Sequence, residues 1–540
     1  MHKKNDNLEL NNLSKAKMIL DKLYSLGVRD FVICPGGRNA PFVELLEKNQ
    51  SKDIHKHWGF EERSASFFAL GLAMKNLQPV AVFTTSGTAF VETTSALLEA
   101  HYLGLPLIVV SSDRPEYQWG TGAPQTMIQK NFLISHLGES SDHEFDFNKV
   151  SFPLHLNCTF DEPLLDHKVF AWTFDFQVQN KFKSFNLNPY LHDFKTYSYD
   201  SVTKILDSNK ISNKINKQIK FKTLFIMTGL DLEFKNSIYE DLKILNADIY
   251  FEATGEIQGH ENNINSKYVN QLDVIKNYDL VVRVGGIPTH RIWRDFEIQK
   301  FKNIIHFSKL PLPGLSFGEV FKIEDFTVFL NDFNFKLNPK PKHKEMTKVK
   351  ELISENKNNN KKINNNALST ANSVNNFTKE QLFFKSIKNL DSETIFYIGN
   401  SLPIRHWDLF KDNYFNHVYA NRGLNGIDGQ LSTAIGLAVQ NKSKDHKTIA
   451  ILGDLTTLYD LSAPWYWIKN KSKINFTLIV INNSGGQIFS KMFENELFVN
   501  HHQMTFKSFA EMWGLSYMQV NSNEEYDQLK CVPDVIEFKV

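Results

Sequence analysis

Long apolar runs are missing from the 540 residues, cysteine is scarce, and neither sign of charge prevails. No apolar run approaches the roughly 20 residues that cross a bilayer, so no membrane span is expected. The opening MHKKNDNLELNN lacks the apolar core of a secretion signal, and the cytoplasm is the expected location. Cys34, Cys158 and Cys531 are odd in number and far apart, without the CxxC or Cys/His spacing that holds zinc, and they read as reduced thiols. With 61 basic against 60 acidic residues, no overall field gathers nucleic acid or an anionic membrane, so affinity for anions must be local. From Pro339 to about Asn376 the chain is rich in Lys and Asn and nearly free of large apolar groups, which predicts an exposed linker. That segment also lacks the aromatics that stack on bases, which argues against a nucleic-acid arm.

What is present is a repeated alternation of short apolar runs with helical patterns. FVICPG, PVAVFTTSG and PLIVVSSDRP form a first series; KTLFIMTG, ADIYFEATG, LVVRVGG and NIIHFS a second; TIFYIGNS, HVYANRG, KTIAILGD, FTLIVINN and DVIEFKV a third. Strands buried on both faces and separated by helices predict an α/β fold of three doubly wound parallel-sheet domains. Their expected bounds are 1–185, 200–338 and 379–540, with the linker at 339–378. Ligands of such sheets bind beyond the carboxyl ends of the strands, where these runs end in small or polar residues.

Two of those ends stand out. Asp454 ends TIAILG and Asn483 ends FTLIVIN one crossover later, followed by Gly485 and Gly486. Each motif alone fits a plain turn. Together, the carboxylate, an amide oxygen and the Gly485 carbonyl are hard oxygen ligands of the kind Mg²⁺ takes when it bridges a diphosphate to protein.

With its GD and, about thirty residues on, its NN, the sequence resembles the thiamine diphosphate enzymes. Leu455 stands where most of them have a third glycine, and GDLTTLYDL with NNSGGQIF resembles one branch in particular. That branch is the synthase family of the menaquinone pathway that makes 2-succinyl-5-enolpyruvyl-6-hydroxy-3-cyclohexene-1-carboxylate. The blocks GVRDFVICPGGRNAPF, HWGFEERSASFFALGLA, PVAVFTTSGTA, SSDRP, GAPQ, GNSLPIR and NRGLNGIDGQLSTAIGLA extend the resemblance through the first and third domains. The middle domain shares only the tripeptide THR at 289–291.

The resemblance implies a pyrimidine-binding first domain, a central α/β domain and a diphosphate- and metal-binding last domain. It implies thiamine diphosphate with Mg²⁺ or Mn²⁺, held by Asp454, Asn483 and Gly485, with Gly453, Leu455, Ile488 and Phe489 beside the cofactor and Ile427 propping its bent shape. Glu62, on sequence alone a charged helix start, becomes the acid on the pyrimidine nitrogen. Because Glu62 and Asp454 lie in different domains, the resemblance also implies a homodimer or homotetramer with sites between chains. Its substrates are 2-oxoglutarate, which is decarboxylated, and isochorismate, which accepts the remaining unit in a 1,4-addition. Both are dicarboxylates, which suits Arg38, Arg114, Arg291, Arg405 and Arg422 with His290. Gln125, Asn400 and Ser401 are expected to face the reacting unit. Three departures bear on the acceptor side: Gly37 replaces an expected serine, His290 an expected lysine, and Pro124 a polar residue before Gln125.

Overall fold

The apolar runs form three sheets in which every strand pair among the described residues is parallel. The computed structural model describes residues 11–130, 132–133, 138–141, 152–165, 172, 193–208, 222–245, 247–259, 275, 278–301, 303–333, 377–387, 393–410, 415–441, 446–529 and 532–540. Residues 339–376 of the expected linker and Cys531 lie outside them. Cys34 and Cys158 are buried free thiols. Among the described residues no helix is long and apolar enough to cross a membrane.

The first sheet comprises β1 (Asp30–Ile33), β2 (His55–Trp58), β3 (Val80–Thr84), β4 (Leu107–Asp113), β5 (Gly138–Ser141) and β6 (Leu154–Thr159), in the order β2-β1-β3-β4-β6-β5. The middle sheet comprises β7 (Thr223–Thr228), β8 (Asp248–Phe251), β9 (Leu280–Gly285), β10 (Ile304–Ser308) and β11 (Glu319–Lys322), ordered β11-β10-β9-β7-β8. The third contains β12 (Ile395–Ile398), β13 (Val418–Tyr419), β14 (Thr448–Gly453), β15 (Phe476–Asn482), β16 (Tyr517–Val520) and β17 (Val535–Lys539), ordered β13-β12-β14-β15-β17-β16. Counted from its own first strand, the third sheet repeats the strand order of the first.

Those two sheets share one core. The helix Glu62–Asn76 follows β2 and packs against the helix Gln430–Gln440, which precedes β14. Glycine permits the approach: a Cβ on Gly71 would lie 2.0 Å from the Thr433 carbonyl oxygen, and one on Gly436 would lie 2.1 Å from that of Phe68. Around the crossing, Phe68 stacks on Tyr466 with ring centroids 4.1 Å apart. Ser462 Oγ donates to Glu61 Oε2 at 2.6 Å, and Trp465 Nε1 donates to the Trp58 carbonyl at 2.8 Å.

Polar contacts join the middle domain to the third. Glu256 accepts from Trp407 Nε1 at 2.8 Å and from the Phe415 amide at 3.1 Å. Lys235 Nζ, buried in this seam, donates to the Asn416 carbonyl at 2.9 Å. Burial pushes its ammonium down to about 7, partly opposed by Asp231.

Two outcomes follow from this packing. Gly71→Ala is expected to cost about 1–3 kcal/mol through overpacking, read as a lower denaturant midpoint; an unchanged midpoint would refute the close crossing. The unfolded chain protonates Lys235 near its ordinary 10.5, and the folded chain only near 7, so stability is expected to fall as pH drops between those values. Lys235→Met should flatten that part of a stability profile measured against pH.

Candidate active site

Asp454 closes β14 and opens the short helix Asp454–Tyr459. Its carboxylate is 2 % exposed and accepts from the Leu455 amide at 2.6 Å and from the Gly485 amide at 2.9 Å. Burial pushes the carboxyl up, while those amides and His502, 3.3 Å away, pull it back. The two asparagines that end β15 divide their work. Asn482 is fully buried and donates to the Met504 carbonyl at 2.9 Å and to Glu537 Oε1 at 2.6 Å, while its Oδ1 accepts from the Ser484 amide. The side chain of Asn483 makes no hydrogen bond among the described residues. Gly485 has φ +133°, and a Cβ there would lie 2.5 Å from the Val499 carbonyl oxygen, so only glycine fits. Its own carbonyl accepts from the Gln487 amide at 2.9 Å, which leaves one lone pair. A buried carboxylate, a free amide oxygen and a glycine carbonyl at adjoining strand ends fit a hard divalent cation and the diphosphate it would bridge. Leu455, Ile488 and Phe489 adjoin these groups in the chain, Ile488 half-buried and Phe489 exposed.

At the carboxyl edge of the first sheet another adjacent pair is sorted in the same way. Glu61 is the N-cap of the helix Glu62–Asn76, accepting from the Arg63 amide at 2.9 Å and the Ser64 amide at 3.1 Å in addition to Ser462. Glu62 is left out of the cap. Burial raises its carboxyl, and Glu61 and Glu92 raise it further. On the same edge Arg38 donates to the Phe160 carbonyl at 3.0 Å and lies 3.3 Å from Glu162. Arg114 donates to the Pro124 carbonyl at 3.0 Å and to Gln118 Oε1 at 3.1 Å, so it braces the turn that ends in exposed Gln125, whose φ is +54°. Gln129 anchors that turn from below. Its Oε1 accepts from the Gly87 amide at 2.6 Å, and its Nε2 donates to Ser111 Oγ at 3.2 Å and Asn157 Oδ1 at 2.9 Å. A Cβ on Gly36 would lie 2.6 Å from Thr85, whereas one on Gly37 would meet nothing within 4 Å. Packing therefore does not explain why the expected serine is absent.

A third group gathers where the middle and last domains meet. Arg422 donates from Nη1 to Asn400 Oδ1 and from Nη2 to Thr289 Oγ1, both at 2.7 Å. Arg405 donates from Nη1 to the Ser401 carbonyl at 2.5 Å. Burial lowers both guanidiniums from their ordinary range, and Glu252 and Asp408 oppose that fall. Asn400 spends its amide on the fold: Nδ2 donates to the Asn421 and Gly426 carbonyls, each at 2.7 Å. Its Oδ1 in turn supports Arg422. Ser401, at φ +71°, holds the strained backbone common at functional sites. Ile427 is half-buried on the loop after Arg422, whose Gly423 and Leu424 amides donate to the first domain's Glu99 at 2.8 Å and 2.7 Å.

His290 and Arg291 sit in different surroundings. Burial lowers the His290 imidazole, which meets the Tyr250 hydroxyl, and Arg291 is 85 % exposed beside Asp295. Arg294, one turn further along the helix Arg291–Gln299, is the guanidinium within electrostatic reach of Arg405. Glu252, His290 and Asp408 bring possible metal-ligand atoms within 4.8 Å of one another. Glu252 already accepts from the Thr289 amide at 2.8 Å and from Thr228 Oγ1 at 2.8 Å, and Asp408 from the Ala253 amide at 2.7 Å. With two guanidiniums beside them, these carboxylates act as anchors. Sequence reading missed Glu252, Asp408, Thr289 and Arg294; only the polar end of ADIYFEATG and the shared THR pointed to any of them.

The profile described as thiamine pyrophosphate enzyme, N-terminal TPP binding domain, matches residues 14–133, which include Arg38, Glu62, Arg114 and Gln125. The 2-succinyl-5-enolpyruvyl-6-hydroxy-3-cyclohexene-1-carboxylate synthase of Bdellovibrio bacteriovorus is 32 % identical over 533 residues, covering 94 % of this chain and 92 % of the relative. The chain belongs to this synthase family. Synthases of the same name from Akkermansia muciniphila and Flavobacterium johnsoniae are 27 % and 28 % identical, with 96 % and 94 % of this chain covered and 94 % and 91 % of the relatives. Membership in the synthase family makes the chain a thiamine diphosphate-dependent transferase.

The division of labour at the end of β15 can be checked directly. Asn482→Ala is expected to lower the thermal midpoint, since it strands Glu537 and the Met504 carbonyl at a cost of about 1–3 kcal/mol. Asn483→Ala should leave that midpoint unchanged and weaken Mg²⁺-dependent binding of thiamine diphosphate in a calorimetric titration. The reverse pattern would exchange the two roles.

Proposed function

We propose that this chain decarboxylates 2-oxoglutarate and joins the remaining four-carbon unit to isochorismate by 1,4-addition, giving 2-succinyl-5-enolpyruvyl-6-hydroxy-3-cyclohexene-1-carboxylate for menaquinone biosynthesis. One observation carries the reading beyond family membership. The free ligand set around Asp454 and the Arg405–Arg422 pair stand at the carboxyl edge of one sheet, where β12 and β14 are neighbours. A cation-and-diphosphate position thus adjoins one suited to carboxylates.

Asp454, Asn483 and the Gly485 carbonyl would hold Mg²⁺ or Mn²⁺. Thiamine diphosphate, when bound, supplies the electron sink for loss of CO2. Glu62, whose carboxyl burial raises, keeps its proton to higher pH than an exposed glutamate and would hold it at the pyrimidine ring nitrogen. Arg405 and Arg422 orient carboxylates in the third domain's part of the site, with Arg294 approaching from the middle domain, and Arg38 and Arg114 do so in the first domain's part. Gln125 offers an uncharged amide to the substrate oxygens.

Glu62 and Asp454 stand on the edges of different sheets, which supports a site completed between two chains of a homodimer. We place the protein in the cytoplasm and its domains at 1–185, 200–338 and 379–540, with the linker at 339–378.

Release of CO2 from 2-oxoglutarate, followed with and without isochorismate, tests the reaction. Acceleration by isochorismate together with its consumption is expected; release from pyruvate alone would overturn the substrate assignment. Glu62→Gln should abolish release while cofactor binding persists, and wild-type turnover would sink its role. Mixing inactive Glu62→Gln and Asp454→Ala chains under subunit exchange should restore about a quarter of the activity, because each heterodimer regains one intact site. No recovery would place both residues of a site in one chain.

A further inference from the structure

Thr289 has no role in the chemistry described so far, yet among the described residues it is the one middle-domain side chain bonded to Arg422. Three strand ends of the middle sheet meet beneath it. Thr228 ends β7, Glu252 follows β8, and Thr289 follows β9. Glu252, 2 % exposed, accepts from Thr228 Oγ1 at 2.8 Å, from the Thr289 amide at 2.8 Å and 3.0 Å, and from the His290 amide at 3.2 Å. A buried carboxylate thereby fixes the main chain of Thr289, whose Oγ1 accepts from Arg422 Nη2 at 2.7 Å.

The opposite end of that guanidinium is fixed from the third domain. Nη1 donates to Asn400 Oδ1 at 2.7 Å, and Asn400 is clamped by the Asn421 and Gly426 carbonyls. Both terminal nitrogens are held, each by a different domain, so the plane and the rotation of the fork are set. A guanidinium has five N–H bonds, of which these contacts use two; Nε and one hydrogen on each terminal nitrogen stay free for a carboxylate. A fork ordered in advance does not lose its rotamer freedom when the ligand arrives.

We propose that Thr289 is a positioning residue which, seated on Glu252, orients Arg422 for one carboxylate of a dicarboxylate substrate. Through this contact the middle domain takes part in substrate recognition. The inference rests on the reading of Arg422 as a substrate ligand, and the test separates the two.

KM for 2-oxoglutarate and for isochorismate is measured separately for Thr289→Val, Thr289→Ser, Arg422→Lys and the Thr289→Val/Arg422→Lys double variant, alongside thiamine diphosphate affinity. Thr289→Val keeps the shape and removes the acceptor. It is expected to raise one of the two KM values about tenfold, the scale of one hydrogen bond to a charged group, with kcat and cofactor affinity near wild type. Thr289→Ser, which keeps the hydroxyl, should restore that KM. Arg422→Lys should raise the same KM at least as much, and adding Thr289→Val to it should change nothing further. Should Thr289→Val fold poorly, Thr289→Ala serves in the same cycle. Additive effects, or an increase with Arg422→Lys and none with Thr289→Val, would overturn the inference while leaving Arg422 a ligand. No change in either KM with Arg422→Lys would instead overturn the ligand reading.

Discussion

The close crossing of the helices Glu62–Asn76 and Gln430–Gln440 is the constraint on which the rest of the molecule depends. Gly71 and Gly436 let each helix press against the other's backbone, and this contact turns the cores of two sheets with the same strand order into one. Ordinary side chains at these positions would push the helices apart and separate the pairs that bracket the crossing, Glu61 with Ser462 and Glu99 with the 423–424 amides. Glu62 opens one of these helices, and the loop bearing Arg422 and Ile427 leads into the other. The positions of Glu62 and of the loop bearing Arg422 and Ile427 are therefore consequences of one packing event.

A second regularity is that adjacent residues of like chemistry divide between fold and site. Glu61 is spent on a cap and a cross-domain bond, while Glu62 stays out of both. Asn482 is spent on Glu537 and the Met504 carbonyl, while Asn483 is free. Gly36 is required by Thr85, while nothing crowds Gly37. In each case neighbouring residues point different ways, and the one facing inward is consumed by the buried groups it must satisfy.

Much of this was legible from the chain alone. The short apolar runs that became β1, β3, β4, β7, β9, β12, β14 and β15 carry uninterrupted buried patterns, and their polar ends mark the site edges. The strands that left little trace are the short edge strand β2, with its sequence HKHW, and the inner strand β6, where His155 and Asn157 interrupt the apolar run. Those side chains are tolerated inside because Ser111 bonds both, at 2.7 Å and 2.9 Å. Glu62, Asp454 and Asn483 could be marked by motif. Asp408, Thr289 and Arg294 could not, because their roles come from contacts between domains that lie more than a hundred residues apart, and Glu252 could not, because its partners Thr228, Thr289 and His290 are brought together only by neighbouring strand ends.

The neighbouring amides at the end of β15 also bear on how this chain can change length. Side chains alternate along a buried strand, so losing one residue within β15 would turn Asn483 toward Glu537 and move the next residue into its place. The same slip would shift Gly485 away from the Val499 carbonyl that only a glycine can approach. Insertions and deletions are thus barred from the stretch between Asp454 and Gly485 unless they fall in the helical connection, where a shift can be absorbed before the strand begins. Variation in length should collect in the connections between domains, far from the edge where a single step of register would exchange a bonded amide for a free one.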